Sequence, residues 1–344
     1  MKYTCESLID FIRGIKITEN DERFFSDIFR GDINYSLIDE IKLEAQKLSK
    51  EKYKKDRIWK IIGKHTEEVY SYTLNQQHID SRYHNHSLFY RGQANIDYMD
   101  RLAAGIYRVT EKHDEHYYFH EMQVRCPSIF SNMKNINKLT YMQHYGCPTR
   151  LLDITSNPLV ALYFACCGHQ NEKNGIVFVF GTRSDEILYE ESDRVQMLSK
   201  FCELKQNEQE QLMIRSYINL ISGSFKKNSA RYVDNEVERF YHAIKRDNGA
   251  FEREIVPLDL LRPIFVQANK DNPRILKQDG AFILCGLDKN EADSNYKIKK
   301  HVMKEIIIPA YAKLGILQEL EQICINQATL FPEVDKVAEY LKNR

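Results

Sequence analysis

The chain has 344 residues, of which 28% are charged and 43% hydrophobic, and this composition is typical of a soluble globular protein with one large or two smaller domains. Its 49 basic residues balance its 49 acidic residues, so no overall charge attracts it to nucleic acid or to an anionic membrane. It contains no run of about 18 apolar residues, so no membrane-spanning helix is predicted.

The N-terminal region is predicted to be helical, with amphipathic stretches at residues 7–12, 36–49 and 57–75. It carries no chemical motif, and we interpret residues 1–80 as a helical segment that precedes an α+β domain at 81–344. The first residues lack the apolar segment and cleavage site of a secretory signal. Eight scattered cysteines without a Cys-x-x-Cys pair favour a reducing, cytoplasmic location and predict no metal site.

Strands and helices are predicted to alternate irregularly after residue 86. An apolar and aromatic run at 87–93 predicts a strand, and helices follow at 114–131 and 136–145. Asn157 and Pro158 predict the start of another helix, because Asn caps helices and Pro is tolerated at the first helical position.

The second half of the chain continues this mixture. The segment 185–245 is charged and mostly helical in pattern. Further strands are predicted at 175–180, 254–256, 280–285 and 305–309, and closing helices at 310–325 and 333–342. Strands dispersed among helices without strict alternation predict an α+β fold with a mixed β-sheet core surrounded by many helices.

Residues 141–165 crowd hydrogen-bonding side chains between apolar residues that are expected to be buried. The polar members are His144, Arg150, Asp153, Thr155, Ser156 and Asn157. A globular protein gains little stability from such crowding. The segment is therefore either one wall of a ligand site or a buried polar network that holds a difficult turn.

Arg91 stands at the end of a predicted strand, where a guanidinium is unfavourable unless an anion accompanies it. It either pairs with an acid such as Asp153, joining strand to helix, or binds a phosphate or the ribose side of a ligand. Gly92 either lets the backbone approach a ligand or allows a tight bend, and Gln93 would orient either group.

His144 is the natural candidate for proton transfer, although a lone histidine beside a turn is often structural. Arg150 and Asp153 are three residues apart, which permits mutual contact on a helical turn. Thr155 and Ser156 either cap the following helix or, together with its N-terminus, favour an anion.

Two later segments add candidates. Glu252 and Glu254 lie on one face of an extended segment, which otherwise reads as a charged edge strand. Arg274 and Gln278 precede a predicted buried strand, where either would bind a ribose hydroxyl or anchor the loop to the strand.

In this order, these motifs resemble the FRG domain family. Its Phe-Arg-Gly-like motif stands here as Phe-Tyr-Arg-Gly-Gln at 89–93. Its long central motif stands at 142–155 as Met-Gln-His-Tyr-Gly-Cys-Pro-Thr-Arg-Leu-Leu-Asp-Ile-Thr. Shorter matches follow at 157–165, 272–275, 278–282 and 329–333.

The family is similar to a distant branch of the ADP-ribosyltransferase fold, which implies a sheet core of that type and NAD as substrate. Arg91 would match the arginine on the first strand, and Thr155-Ser156 the Ser-Thr-Ser-like element, whose first serine is absent here. Gln278 stands in the family's third segment where a glutamate is expected, and Glu254 is a better local match to Glu-x-Glu.

The resemblance thus implies an NAD-using ADP-ribosyltransferase-like enzyme that needs no metal. The residues expected in catalysis are Arg91, His144, Asp153, Glu254 and Gln278. The residues expected to bind NAD are Arg91, Gly92, Gln93, Arg150, Thr155 and Ser156. Since a Gln brings no charge to an oxocarbenium-like transition state, the charge must come from Asp153 or Glu254. We expect Arg91, His144, Asp153 and Gln278 to line one cavity.

The resemblance also implies a bacterial setting with a toxin or anti-phage role, an antitoxin or other regulatory partner, and no membrane partner. The acceptor would be a protein or a nucleic acid. One alternative is a non-catalytic module that binds a nucleotide or a partner protein in the same pocket. Another is a nuclease that uses His144 and Asp153, and the N-terminal helices would then form a partner-binding or regulatory cap.

Overall fold

A computed structural model describes residues 2–18, 21, 33–48, 64–76, 86–98, 102–108, 113–168, 172–221, 235–252, 255–267, 269, 272–287 and 297–342. Its strands are β1 (Lys2–Thr4), β2 (His86–Gln93), β3 (Leu151–Thr155), β4 (Gly175–Arg183), β5 (Ile187–Leu188), β6 (Ile264–Gln267), β7 (Gly280–Leu284) and β8 (Val302–Ile308).

The α-helices frame these strands along the chain. They are α1 (Leu8–Gly14), α2 (Tyr35–Leu48), α3 (Thr66–Gln76), α4 (Glu115–Arg125), α5 (Pro127–Phe130), α6 (Asn135–His144), α7 (Pro158–Cys166), α8 (Asp193–Ser199), α9 (Gln206–Ile221), α10 (Asn235–Asp247), α11 (Pro257–Leu261), α12 (Pro273–Lys277), α13 (Lys313–Gln322), α14 (Gln327–Leu330) and α15 (Val334–Lys342). No helix in the described ranges combines the length and apolar character needed to cross a membrane.

The described strands form one eight-stranded mixed sheet in the order β1-β8-β4-β2-β3-β7-β6-β5. The β1–β8 and β5–β6 pairs are parallel, and the other pairs are antiparallel. The prediction of an α+β fold with a mixed sheet and many helices is therefore confirmed.

The sheet consists of two halves that meet weakly between β2 and β3. Strand β2 pairs with β4 over eight residues, and β3 pairs with β7 over five. Between β2 and β3, however, the only paired residues are Tyr90 and Thr155. Beyond this pair the two strands separate and leave a gap between them. The candidate site lies at this gap.

Alternate residues of the central strands pack on opposite faces of the sheet. In β4, Val177 and Val179 belong to a buried cluster with α7 and α13, whereas Phe178 and Phe180 pack in a second cluster on the other face. Burial on both faces explains why β4 reads as a continuous apolar run and was predictable.

Helix α7 lies directly against β2 because Gly92 has no side chain. A Cβ at Gly92 would stand 1.8 Å from the carbonyl oxygen of Ala161. The helix begins where the sequence predicted: Asn157 accepts a hydrogen bond from the backbone N–H of Leu159, and Pro158 is the first helical residue. Gly92 thus serves helix packing, and its backbone also lines the cavity described below.

We predict that Gly92→Ala destabilises the fold by at least about 1–3 kcal/mol, the usual cost of overpacking, because the backbone of α7 has to move. Thermal unfolding followed by circular dichroism measures the effect. Gly249→Ala is the matched control, since a Cβ at Gly249 meets no atom within 4 Å. Equal melting temperatures for the two variants would contradict the close approach of β2 and α7.

The N-terminal segment shares its cores with the rest of the chain. Strand β1 pairs with β8, Phe11 of α1 packs in the cluster beside α7, and Ile38 and Tyr70 belong to the largest cluster, which also contains Phe119. Described residues on both sides of position 80 therefore share buried clusters, and the boundary at that position stays a prediction.

Several predicted elements differ in the structure. The helix predicted at 114–131 is interrupted at Cys126, because Pro127 begins the new helix α5. Arg150 and Asp153 do not share a helical turn, since Leu151–Thr155 is a strand. The prediction of a strand at 254–256 is wrong for residues 255 and 256, which belong to no strand and directly precede α11. Glu254 itself lies outside the described residues, as do 57–63 of a predicted helix.

Candidate functional site

A cavity of about 290 Å³ lies at the gap between β2 and β3. Helices α6, α7 and α12 and strand β7 supply its remaining walls. Its lining includes Tyr90, Arg91, Gly92, Gln143, His144, Asp153, Thr155, Phe164, Arg274 and Gln278. The prediction that Arg91, His144, Asp153 and Gln278 line one cavity is confirmed, while their catalytic roles stay predictions.

Arg91 is a half-buried cation without an anionic partner among the described residues. Its Nη1 donates to the backbone carbonyl oxygen of Asp153 at 2.7 Å, and its Nε is buried without an acceptor in the described part of the chain. Burial lowers the pKa of Arg91 to about 10, although the nearby Asp153 opposes this change. The guanidinium is therefore charged at pH 7, and no acid in the described ranges forms an ion pair with it.

The Asp153 carboxylate is held in place by Gln143. The Nε2 atom of Gln143 donates to Asp153 Oδ1 at 2.7 Å, and its Oε1 accepts from the hydroxyl of Thr149. Asp153 is exposed and lines the cavity, so its second carboxylate oxygen is available to a ligand. Gln143 was part of the quoted motif, but its role was not predicted.

Thr155 and Ser156 join the end of β3 to the turn that precedes β7. The Thr155 hydroxyl donates to the Gln278 carbonyl oxygen at 2.7 Å and accepts from the N–H of Asn157. Ser156 donates to the Asp279 carbonyl oxygen through its N–H at 3.1 Å. Thr155 still lines the cavity, whereas Ser156 is not among the residues around it.

Arg150 lies in the core, away from this cavity. Its Nε donates to Glu115 Oε2 at 2.7 Å, its backbone N–H donates to Glu115 Oε1 at 2.8 Å, and Nη2 also reaches Gln209. The guanidinium stacks over Phe201, 5.0 Å from the ring centroid. The expectation that Arg150 shapes the NAD pocket is therefore not met, since its charge is already paired inside the protein.

His144 stands beside one cation and one carboxylate. Its Nε2 is 3.6 Å from Glu333 Oε1, and Arg274 Nη1 is 4.0 Å from the same oxygen. Burial lowers the pKa of His144, and Arg274 adds to this decrease while Glu333 opposes it. The imidazole is therefore predominantly neutral at pH 7 and can accept a proton.

The neighbours of His144 provide a prediction. Arg274→Met should raise the pKa of His144 and Glu333→Gln should lower it, because each variant removes one of the opposing charges. Titration of the His144 imidazole by NMR measures both shifts. Because the pKa of His144 is lower in the folded than in the unfolded protein, this residue contributes to the stability of the fold at pH values above its ordinary pKa. The contribution is lost as the pH falls through the pKa of the folded protein. Shifts of the same sign in both variants would contradict the arrangement.

The last segment of the chain completes this part of the site. Gln278 donates from Nε2 to the Leu330 carbonyl oxygen at 3.0 Å, and Arg274 stacks on the ring of Phe331 at 4.5 Å. Glu333 then reaches His144. The segment 329–333 was noted only as a resemblance, and no role was predicted for Glu333, because its partners lie far away in the sequence.

A second cavity of about 590 Å³ adjoins the first. The two share Thr140, His144, Arg274, Ile275 and Phe282 in their linings. The junction between them therefore carries Arg274, the Glu333 carboxylate 4.0 Å from it, and the neutral His144.

Gln93 lines neither cavity, and a second predicted residue, Glu254, lies outside the described residues. Gln93 ends β2, and its Oε1 is buried without a donor among the described residues. Glu115, which decides the position of Arg150, escaped the sequence reasoning because it appeared as one charge on an ordinary helix.

A comparison with known families covers the centre of this site. Residues 86–174 match the family model of the FRG domain. This match begins at β2, contains Arg91, His144 and Asp153, and ends before β4. It supports the FRG family, as the sequence motifs predicted. No match was found among curated proteins or among solved structures.

Proposed function

We propose that this chain is an NAD-using enzyme similar to ADP-ribosyltransferases, with its substrate in the cavity between β2 and β3. The observation that carries the proposal is Arg91. This guanidinium lines the cavity and has no acidic partner among the described residues. An unpaired cation at the edge of a cavity favours an anionic ligand, and the diphosphate of NAD meets that need.

The acidic residue of this cavity suits the chemistry. ADP-ribosyl transfer breaks the bond between the ribose C1′ and the nicotinamide nitrogen, and the electron pair leaves with nicotinamide. Positive charge builds up on the ribose, as in glycoside hydrolysis, and a carboxylate stabilises it. Asp153 is the acid in the lining of this cavity, so we assign it this role. Gln278 has no charge to offer.

His144 is the assigned proton acceptor. The nucleophile of the acceptor forms a bond to C1′ and gives up a proton. A neutral imidazole accepts protons efficiently when its pKa lies near the operating pH. The lowered pKa of His144 keeps the imidazole in the unprotonated form that this role requires. Glu333, 3.6 Å from Nε2, is a positioning residue for the imidazole.

The test uses the full chain and NAD labelled separately in the nicotinamide and adenylate parts. Nicotinamide release reports bond breakage, and transfer of the adenylate label to proteins or RNA of a bacterial extract reports the acceptor. We expect Asp153→Asn to slow release about 100-fold to 1,000-fold, as loss of one electrostatic stabiliser does. The affinity of this variant for NAD should stay unchanged. The control is Asp185→Asn, which removes an exposed carboxylate paired with Arg183.

Three outcomes would contradict the proposal. NAD binding without nicotinamide release would indicate a binding module. Metal-dependent cleavage of RNA or DNA in the absence of NAD would indicate a nuclease. Equal release rates for Asp153→Asn and Asp185→Asn would remove Asp153 from the mechanism.

A further inference from the structure

We propose that the larger cavity binds the adenine base of the substrate, an inference that rests on the proposed use of NAD. The first argument is size. The cavity beside Arg91 measures about 290 Å³, just below the range that holds drug-sized ligands, and a dinucleotide is larger than such ligands. The adjoining cavity of about 590 Å³ provides the additional room.

The second argument is the charge at the junction. A dinucleotide consists of two base-ribose halves joined by a diphosphate. Arg274 lines both cavities, and Arg91 lines the smaller one. A diphosphate that passes between the cavities would contact the Arg91 guanidinium, which has no acidic partner among the described residues. It would share Arg274 with the Glu333 carboxylate, whose Oε1 lies 4.0 Å from Arg274 Nη1.

The third argument is the chemistry of the larger cavity. Its apolar lining includes Met133, Ile136, Val266 and Phe282, which suits the faces of a planar ring. Asn137 and Asn269 supply amide groups to the same lining. A nucleobase presents this combination of apolar faces and a hydrogen-bonding edge.

The orientation of the two amides indicates which base. Asn137 and Asn269 both donate from Nδ2 to the carboxylate of Glu190, which also pairs with Lys134 at 2.9 Å. Because a carboxylate only accepts hydrogen bonds, the amide nitrogens must face Glu190. Their Oδ1 oxygens receive no hydrogen bond from any described residue. Two such acceptors favour a base with an exocyclic amine, as adenine has and hypoxanthine lacks.

The experiment measures binding of AMP, IMP and nicotinamide mononucleotide to the full chain by calorimetry. The unmodified chain should bind AMP at least about tenfold more tightly than IMP, since hypoxanthine would turn a C6 carbonyl oxygen toward the two amide oxygens where adenine presents its amine. Asn137→Leu should weaken the binding of AMP about fivefold to tenfold and reduce the preference for AMP over IMP, because one hydrogen bond is lost. It should leave nicotinamide mononucleotide unaffected.

Asn269→Leu serves as the second variant in case Asn137→Leu does not fold, and exposed Asn207 of α9 provides the control Asn207→Leu. Equal affinity for AMP and IMP, or no AMP binding, would overturn the inference. If Asn137→Leu keeps its affinity for AMP but no longer transfers ADP-ribose, the inference is also overturned, because the cavity would then bind the acceptor.

Nicotinamide release by the unmodified chain separates this inference from the proposed function. If AMP binding depends on Asn137 but NAD is not consumed, the adenine site stands and the transferase fails. If NAD is consumed but AMP binding is indifferent to Asn137 and Asn269, the transferase stands and the adenine site fails.

Discussion

Arg91→Met is expected to weaken NAD binding while the melting temperature stays the same or rises. The guanidinium makes one hydrogen bond, to a backbone carbonyl, and no ion pair within the described residues. Its removal relieves an uncompensated charge inside the protein, which offsets the lost hydrogen bond. Loss of its contacts to a charged phosphate should raise the Kd about 10-fold to 150-fold, equivalent to about 1.5–3 kcal/mol.

Calorimetric titration with NAD and thermal unfolding together measure this effect. Arg125→Met is the matched control, because Arg125 is an exposed arginine of α4 that pairs with Glu121. That variant should change neither affinity nor stability by more than a small amount. A lower melting temperature with unchanged NAD affinity would show that Arg91 is structural and would remove the observation on which the proposed function depends.

Arg150→Met is expected to have the opposite signature, with stability reduced by about 3–5 kcal/mol, the usual cost of removing one partner of a buried pair. Both Arg150 and Glu115 are almost fully buried, with 1% and 2% of their side chains exposed. The variant leaves the Glu115 carboxylate without its guanidinium partner. Thermal and urea-induced unfolding measure the loss.

The double variant Glu115→Leu, Arg150→Met tests the cause. Removing both charges should recover a large part of the stability lost in Arg150→Met, because no unpaired ion then remains in the core. If Arg150→Met instead loses NAD affinity and keeps its stability, Arg150 belongs to the ligand site as the motif suggested.

These two arginines show how far sequence reasoning reached. Both belong to segments that resemble one family, and both were expected to contact NAD. They differ only in what surrounds them: a carboxylate from α4 neutralises Arg150, while no described acid does so for Arg91. Glu115 is 35 residues away in sequence from Arg150, so no local pattern could predict the pair.

The same limit applies to the C-terminal segment. Glu333 approaches His144 across almost two hundred residues of sequence, and Gln278 is held by the carbonyl oxygen of Leu330. Sequence reasoning expected the missing carboxylate from Asp153 or Glu254. Asp153 does line the cavity, Glu254 lies outside the described residues, and Glu333 at the edge of the larger cavity was not predicted.

The sequence by itself determined the elements whose pattern is local. Buried runs predicted β4 and β7, because residues covered on both faces are continuously apolar, and the Asn-Pro pair predicted the start of α7. The three-residue strand β1 and the two-residue strand β5 have no comparable pattern and were missed. Only the tertiary structure decided which polar residues of 141–165 face a cavity and which are paired in the core, because charge pairing and strand separation depend on residues distant in the chain.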